Sequence, residues 1–434
     1  GRYSYQKDYE PGSPDIPAPA YGGANARDIT TTGHNAMIGY NRILSPALIL
    51  SSKISWNALL TRITPPPEVD RSLNAELGLR GVDNATPGMA QISVSGYTAL
   101  GLGSTLPNIA DSQNRQALAD LTWLRGKHSL KTGANLSWLQ SHLANPNQAL
   151  GVFSFDGGFS RHPQTLREGN SVADLLLGLP FQAQVSTPSY MNQRSPWYGF
   201  YVQDEWKATS RLTLNLGLRW DLRLPWVETR NLWANFDIDT NPAAAQLVLA
   251  RDGSRADRAT LQPDRNDVAP RFGFAYSVSS RTVVRGGYGI YYSQYEGMGG
   301  AQYLQTNPPY QYRAQLDTDR LTPTLSLAAG IPSGTVSPQN ARNIGTSSYQ
   351  RDLRNAYAQQ WNFNLQRELP GQMIFELGYY ANKANKLMRR TEGNWALPGA
   401  GNVTVVVGDV MSILKVTLPQ GTAAGAQSAT STML

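Results

Sequence analysis

The side chains with chemical potential fall into a few groups, and each has a structural reading to set beside a catalytic one. Asp204, Glu205, Asp221 and Glu228 lie near one another in the chain and could supply the paired carboxylates of a glycosidase. Asp221, Glu205 and Arg219 read better as a charge ladder on one face of neighbouring strands. Asp252, Asp257, Asp264 and Asp267 could offer oxygen ligands to Ca2+. Their spacing matches no EF-hand loop, and Asp264-Arg265-Asn266-Asp267 reads as a cap where a loop re-enters a strand. Arg285-Gly-Gly-Tyr-Gly289 is glycine-rich like a phosphate cradle, but it lacks the Lys-Ser/Thr that completes one. Glycines there relieve crowding between strands. None of the histidines at 34, 128, 142 and 162 has a second ligand at metal spacing. His128 lies beside a turn, and the other three read as loop residues. Ser195 and Ser293 have no accompanying His/Asp pattern. With no cysteine, a disulfide, a thiolate metal centre and a cysteine nucleophile are excluded. The expectation is no catalytic residue, no cofactor, no metal and no enzyme activity.

The elements that would position these groups are strands. In Arg211 to Asp221, Leu212, Leu214, Leu216, Leu218 and Trp220 share one face, and Thr213, Asn215, Gly217, Arg219 and Asp221 the other. A partner precedes it across Ala208-Thr-Ser210, with Tyr198, Phe200, Val202 and Trp206 opposite Gly199, Tyr201, Gln203 and Glu205; Asp204 interrupts the apolar face. Phe272, Phe274 and Tyr276 alternate likewise, and a Ser279-Ser280 turn leads to Arg281–Tyr292. Trp361, Phe363 and Leu365 alternate with Asn362 and Asn364, and after a turn Phe375 and Leu377 alternate with Glu376. The predicted hairpins fall near residues 117–138, 196–221, 271–292 and 357–380, and Ala47–Trp56 is a weaker strand candidate. Between them run long polar connections, clearest at 223–266 and 296–355.

Hydrophobic residues make up 41% of the chain, and the mean hydropathy is −0.38. No run reaches the roughly 18 apolar residues of a membrane helix. A barrel strand escapes that test, because only every second side chain meets lipid. Short turns alternating with long loops fit an outer-membrane barrel, and compact soluble domains rarely hold loops of such length. The 21 Tyr and 10 Trp suit wet boundaries. The net charge of +7 is dispersed, with no basic run beyond Arg389-Arg390, and reads as pore and loop charge rather than a nucleic-acid surface. The expected lipid-facing set is Leu212, Leu214, Leu216, Leu218, Trp220, Phe272, Phe274, Tyr276, Trp361, Phe363 and Leu365. The expected lumen-facing polar set is Gln203, Glu205, Asn215, Arg219, Asp221, Arg285, Asn362, Asn364 and Glu376. Asn170-Ser-Val-Ala-Asp-Leu-Leu-Leu-Gly178 predicts a short capped helix in a loop or on a rim.

In the order of these blocks, from Asn170–Pro180 through Tyr198–Lys207, Leu212–Asp221, Asp267–Tyr276 and Val283–Tyr292 to Gln359–Arg367, the chain resembles the Oar-like branch of TonB-dependent outer-membrane receptors over about residues 115–400. The resemblance implies an all-β fold, an antiparallel transmembrane barrel of roughly 22 strands, with an export signal, a plug and often a small β-sandwich before it. Gly1 opens the chain in a polar stretch, and it closes on Ser431-Thr-Met-Leu434. The expectation is an incomplete barrel over 1–402 and an atypical tail over 403–434, with plug and N-terminal domains absent. Expected partners are outer-membrane lipid, an unknown solute, and TonB-type coupling only through the missing N-terminal parts, with no nucleic acid. The expected function is transport of a large or scarce solute across the outer membrane. A porin-like or adhesin barrel and a soluble secreted carbohydrate-binding β-protein are the alternatives.

Overall fold

The computed structural model describes the chain apart from residues 24, 102–105, 146, 163, 166–168, 238–245, 294–303, 338–346, 388–402, 409–412 and 419–434. Eleven strands follow one another in an antiparallel meander: β1 (Arg2–Glu10), β2 (Asp28–Ser45), β3 (Leu48–Thr64), β4 (Asn108–Arg125), β5 (His128–Asn145), β6 (Ser189–Lys207), β7 (Leu212–Arg223), β8 (Asp267–Ser279), β9 (Thr282–Ser293), β10 (Ala356–Leu369) and β11 (Met373–Asn385). The short strand Val227–Glu228 adds to β6 and makes this a 12-stranded sheet. Every tight turn (46–47, 126–127, 208–211, 280–281, 370–372) leaves the sheet at one end. Every long connection (11–27, 65–107, 146–188, 224–266, 294–355) leaves at the other.

The register carries the alternation across the whole meander. Leu214 lies opposite Trp206 on one side and Phe274 on the other; the row continues through Gly286, Phe363 and Tyr379. Asn215 lies opposite Glu205 and Gly273, and that row continues through Gly287, Asn362 and Tyr380. Directly opposed residues share a face, so an apolar and a polar surface form without mixing.

The strands are longer than the alternation predicts. Ala47–Trp56 is the start of β3 (Leu48–Thr64), and β1 and β2 carry no strong apolar period. An 18-residue strand such as β2 rises about 60 Å, far more than the roughly 25 Å apolar band of an outer-membrane barrel requires even when tilted. Only the portion at hydrocarbon depth must alternate. The flank Asp28-Ile-Thr-Thr-Thr-Gly33 need not, and reads as a loop.

The hydrophobic core is not under the large sheet. The bulkiest fully buried side chains, Trp233, Phe153, Phe155, Leu150 and Leu304, come from the connections, joined by Met191 at the head of β6. One cluster gathers Val69, Leu73, Ile92, Phe153, Phe155, Val185, Ala314 and Ile331; a second gathers Met191, Val227, Trp233, Ala259 and Leu304. The first rests on a four-stranded sheet ordered Arg313–Asp317, Gln182–Ser186, Val152–Phe155, Gln91–Val94, whose last pair is parallel. The predicted helix is Ser171–Leu177. Asn170 accepts the amides of Val172 and Ala173, and Gly178 ends it in the left-handed region at φ 69. It lies in the connection between β5 and β6, with Val172 and Leu175 against the first cluster. Val403–Gly408 pairs with Ile413–Leu418 as a separate hairpin within the stretch 403–434.

Asn74 joins two connections. It is buried, donates to the carbonyls of Asp83 (3.1 Å) and Leu150 (3.0 Å), and accepts the amide of Ala90 (2.7 Å). Asn74→Ala leaves these groups unpaired at about 1–3 kcal/mol each. The expected outcome is faster proteolysis within 65–107 and 146–188 of the folded protein, with the heat-modifiable gel shift of the barrel retained.

Candidate functional site

The register sets Gln203, Glu205, Asn215, Arg219, Asp221, Arg285, Asn362, Asn364 and Glu376 on one face of the sheet, and Leu212 to Trp220, Phe272 to Tyr276 and Trp361 to Leu365, at alternate positions, on the other. The apolar surface is open rather than sealed in a sandwich: Leu218 is 48% exposed and Phe363 50%. Asp204, which breaks that surface, sits near the tight turns with its Oδ2 2.7 Å from Nδ1 of His128, whose ring stacks on Trp206.

Three groups of contacts organise the polar face. Arg219 grips Asp221 through Nε (2.8 Å) and Nη2 (2.7 Å), and Trp197 Nε1 donates to the same carboxylate at 2.7 Å. The guanidinium of Arg223 lies 4.3 Å from the Trp197 ring centre. This fork passes over Gly199, where a Cβ would stand 2.1 Å from Arg219 Nη2. Further along, Tyr201 Oη donates to Asp120, which also faces Lys131 at 3.7 Å. That bridge crosses Gly133, where a Cβ would stand 2.3 Å from the Asp120 carboxylate. At the far end, Asn364 Nδ2 donates to Glu376 at 2.5 Å. The charge ladders expected from Glu205, Arg219 and Asp221 to neighbouring strands are corrected for Arg219 and Asp221, which pair with each other. Arg219 pairs along its own strand, while Glu205 lies near the tight-turn end opposite Asn215 and Ser129. Gln203 stands opposite Gly217 and Lys131, and Arg285 opposite Ala275 and Asn364.

At the loop end, carboxylates tie connections to strands. Asp264 receives Arg354 Nη1 (2.9 Å) and the amide of Asn355 (3.0 Å), and Asp267 receives Asn355 Nδ2 (2.6 Å). This matches the cap expected of Asp264-Arg265-Asn266-Asp267. Asp252 takes a hydrogen bond from Asn231 instead. Asp257 forms a capping box with Ser254; the Ser254 hydroxyl, then Arg251, hold its carboxyl down to about 2. Beside it, burial and then the neighbouring Arg258 push the Arg255 guanidinium down to about 10, while it donates to the carbonyls of Pro225 and Arg194. Among the described residues, no group of three or more His, Asp or Glu has metal-holding geometry.

Two histidines lie elsewhere than expected. His34 is inside β2, its ring stacked on Trp56 at 5.6 Å and its Nδ1 2.9 Å from Tyr3 Oη. His142 is inside β5, 3.8 Å from Asp111, which Arg62 also engages at 2.7 Å. The sequence reading missed Asp120, Trp197, Arg354 and Asn355. Their only signal is position on the right parity of a strand or at a loop end, and it becomes visible once the register is known.

Over residues 1–431 the chain matches the family described as outer membrane beta barrel domain. It belongs to that family. The barrel domain resides in the bacterial outer membrane, and its strands are those of an antiparallel transmembrane barrel. Among solved structures it is similar to the outer membrane transporter YddB from Escherichia coli, at 12% identity and a TM-score of 0.47, over 88% of this chain and 38% of that one. It is also similar to the siderophore receptor PiuA from Acinetobacter baumannii, at 14% identity and a TM-score of 0.41, over 87% of this chain and 46% of that one. The barrel domain spans less than half the length of these structures. No curated protein matches it in sequence.

Asp221→Ala strands the half-buried Arg219 guanidinium and the Trp197 indole together. It is expected to lower the unfolding free energy of the protein in detergent by about 1–3 kcal/mol. Asp221→Asn, which keeps an acceptor, should lose less. Urea midpoints compare the two.

Proposed function

We propose that this barrel domain is the greater part of a TonB-dependent transport barrel moving a large or scarce solute across the outer membrane. The segregation of every long connection to one end of the sheet carries this reading. It supports an external face that captures solute and a periplasmic face of tight turns. Residues 1–402 are assigned to the barrel. The open apolar face, with Leu212, Leu214, Leu216, Leu218, Trp220, Phe272, Phe274, Tyr276, Trp361, Phe363 and Leu365, is assigned to lipid. The polar face, with Gln203, Glu205, Asn215, Arg219, Asp221, Arg285, Asn362, Asn364 and Glu376, is assigned to the lumen. The hydrogen-bonded forks over Gly199 and Gly133 line it with fixed charge. Binding and gated passage need no covalent chemistry, so the domain is not an enzyme.

The absence of cysteine permits a direct test of orientation. Ala85→Cys, in a long connection, is expected to react with a membrane-impermeant maleimide on intact cells. Ser210→Cys and Ser280→Cys, in tight turns, should react only after the outer membrane is permeabilised. The reverse pattern overturns the orientation, and labelling of all three in intact cells overturns the membrane-spanning placement.

The two faces differ in their tolerance of charge. Leu216→Arg is expected to cost about 2–4 kcal/mol in lipid vesicles, the range for a cation at the bilayer midplane on the lipid face. Asn215→Arg should cost much less. Equal losses in urea titrations of the two variants would refute the assignment of faces.

A further inference from the structure

The four-stranded sheet in the connections has an apolar face buried through Ile92, Val94, Phe153, Phe155, Ala183 and Val185. Its reverse face carries side-chain amides on the strands Arg313–Asp317 and Gln182–Ser186, beside Val152 and Ser154 of the next strand. In Gln182-Ala-Gln-Val-Ser186 and Arg313-Ala-Gln-Leu-Asp317 the amides and the acid occupy alternate positions, and the register sets Gln184 opposite Gln315 and Gln182 opposite Asp317. Gln148 Nε2 donates to Gln184 Oε1 at 2.7 Å. Gln184 Nε2 donates to Gln182 Oε1 (2.7 Å) and Gln315 Oε1 (3.1 Å). Gln182 and Gln315 then donate to Asp317, at 2.8 Å and at 2.9–3.0 Å. Asp317 only accepts, so the chain has one direction and every amide in it has a fixed orientation.

We infer that this face binds a neutral oligosaccharide. The inference deepens the transport reading and rests on it for the placement of these connections outside the cell. A carboxamide carries two N–H groups and an oxygen with two lone pairs. The chain engages Gln182 through one donated and one accepted bond, so donor and acceptor capacity remains for a ligand. A sugar hydroxyl is likewise both donor and acceptor, so vicinal hydroxyls pair with an amide without residual charge. Neighbouring strands place these groups about 4.8 Å apart, close to the repeat of a sugar chain. Arg313 and Asp317, at the two ends of one strand, cancel in charge. An ionic ligand would meet no net countercharge on this sheet. Because each amide is held by its neighbour before the ligand arrives, little side-chain entropy is lost on binding.

The test uses the full-length protein in detergent, titrated calorimetrically with hexasaccharides of α-glucan, β-glucan, xylan and mannan. At least one is expected to bind the native protein. The triple variant Gln182→Leu, Gln184→Leu, Gln315→Leu should weaken that binding by at least about tenfold, since a site built on hydrogen bonds fails when its partners are removed. Gln184→Glu, which keeps size and shape but replaces the donors to Gln182 and Gln315 with a charged acceptor, should weaken it as well, and it covers the case in which the triple variant does not fold. No binding of any hexasaccharide by the native protein, or equal binding by Gln184→Glu, overturns the inference. A protein that keeps its heat-modifiable mobility and its maleimide labelling pattern while failing to bind sugar refutes this inference alone. Loss of those two signatures in the native protein refutes the transport reading instead.

Discussion

In hydrocarbon an amide or carbonyl without a partner costs several kcal/mol, and no water is present to supply one. That single constraint sets the plan of this chain. It forces the meander of long antiparallel strands, each laddered to its neighbours, and leaves side chains to satisfy two different solvents on two faces. The usual logic of a globular protein is thereby inverted. Leu218 and Phe363 on the strands stay open, while Trp233, Phe153 and Phe155 in the connections are fully buried. Loops, ordinarily the least packed part of a protein, hold both hydrophobic cores here.

The polar face meets a second demand. Charged groups on this face must be held in place without a hydrophobic core beneath them. Glycine supplies the room: the Arg219–Asp221 fork lies flat over Gly199, and the Tyr201–Asp120 bridge over Gly133. At Gly133 the bare backbone lets Tyr201 reach a carboxylate two strands away.

How much of this could be read from residues alone depends on where period two is enforced. Leu212 to Asp221 and Phe272 to Tyr276 were legible because hydrocarbon demands an apolar side chain at every second position. The first two strands, and His34 and His142 within strands, were not, since Thr, Asn and Gly at those depths meet polar surroundings that impose no period. Trp197 and Asp120 were hidden for another reason: a cross-strand partner is defined by register, and register follows from pairing rather than composition. The amide sheet did carry alternation, in Gln182-Ala-Gln-Val-Ser186, but over only five residues inside a connection that reads as loop.

The parallel pairing of Gln91–Val94 with Val152–Phe155 has a consequence for assembly. These segments come from connections on either side of a complete hairpin, and Arg313–Asp317, at the edge of the same sheet, arrives much later in the chain. No single connection can build this sheet. Its closure entropy is met only after the strands beneath have brought the three segments together. The sheet formed by the connections therefore matures last, as a report that the strands under it have been laid in the correct order.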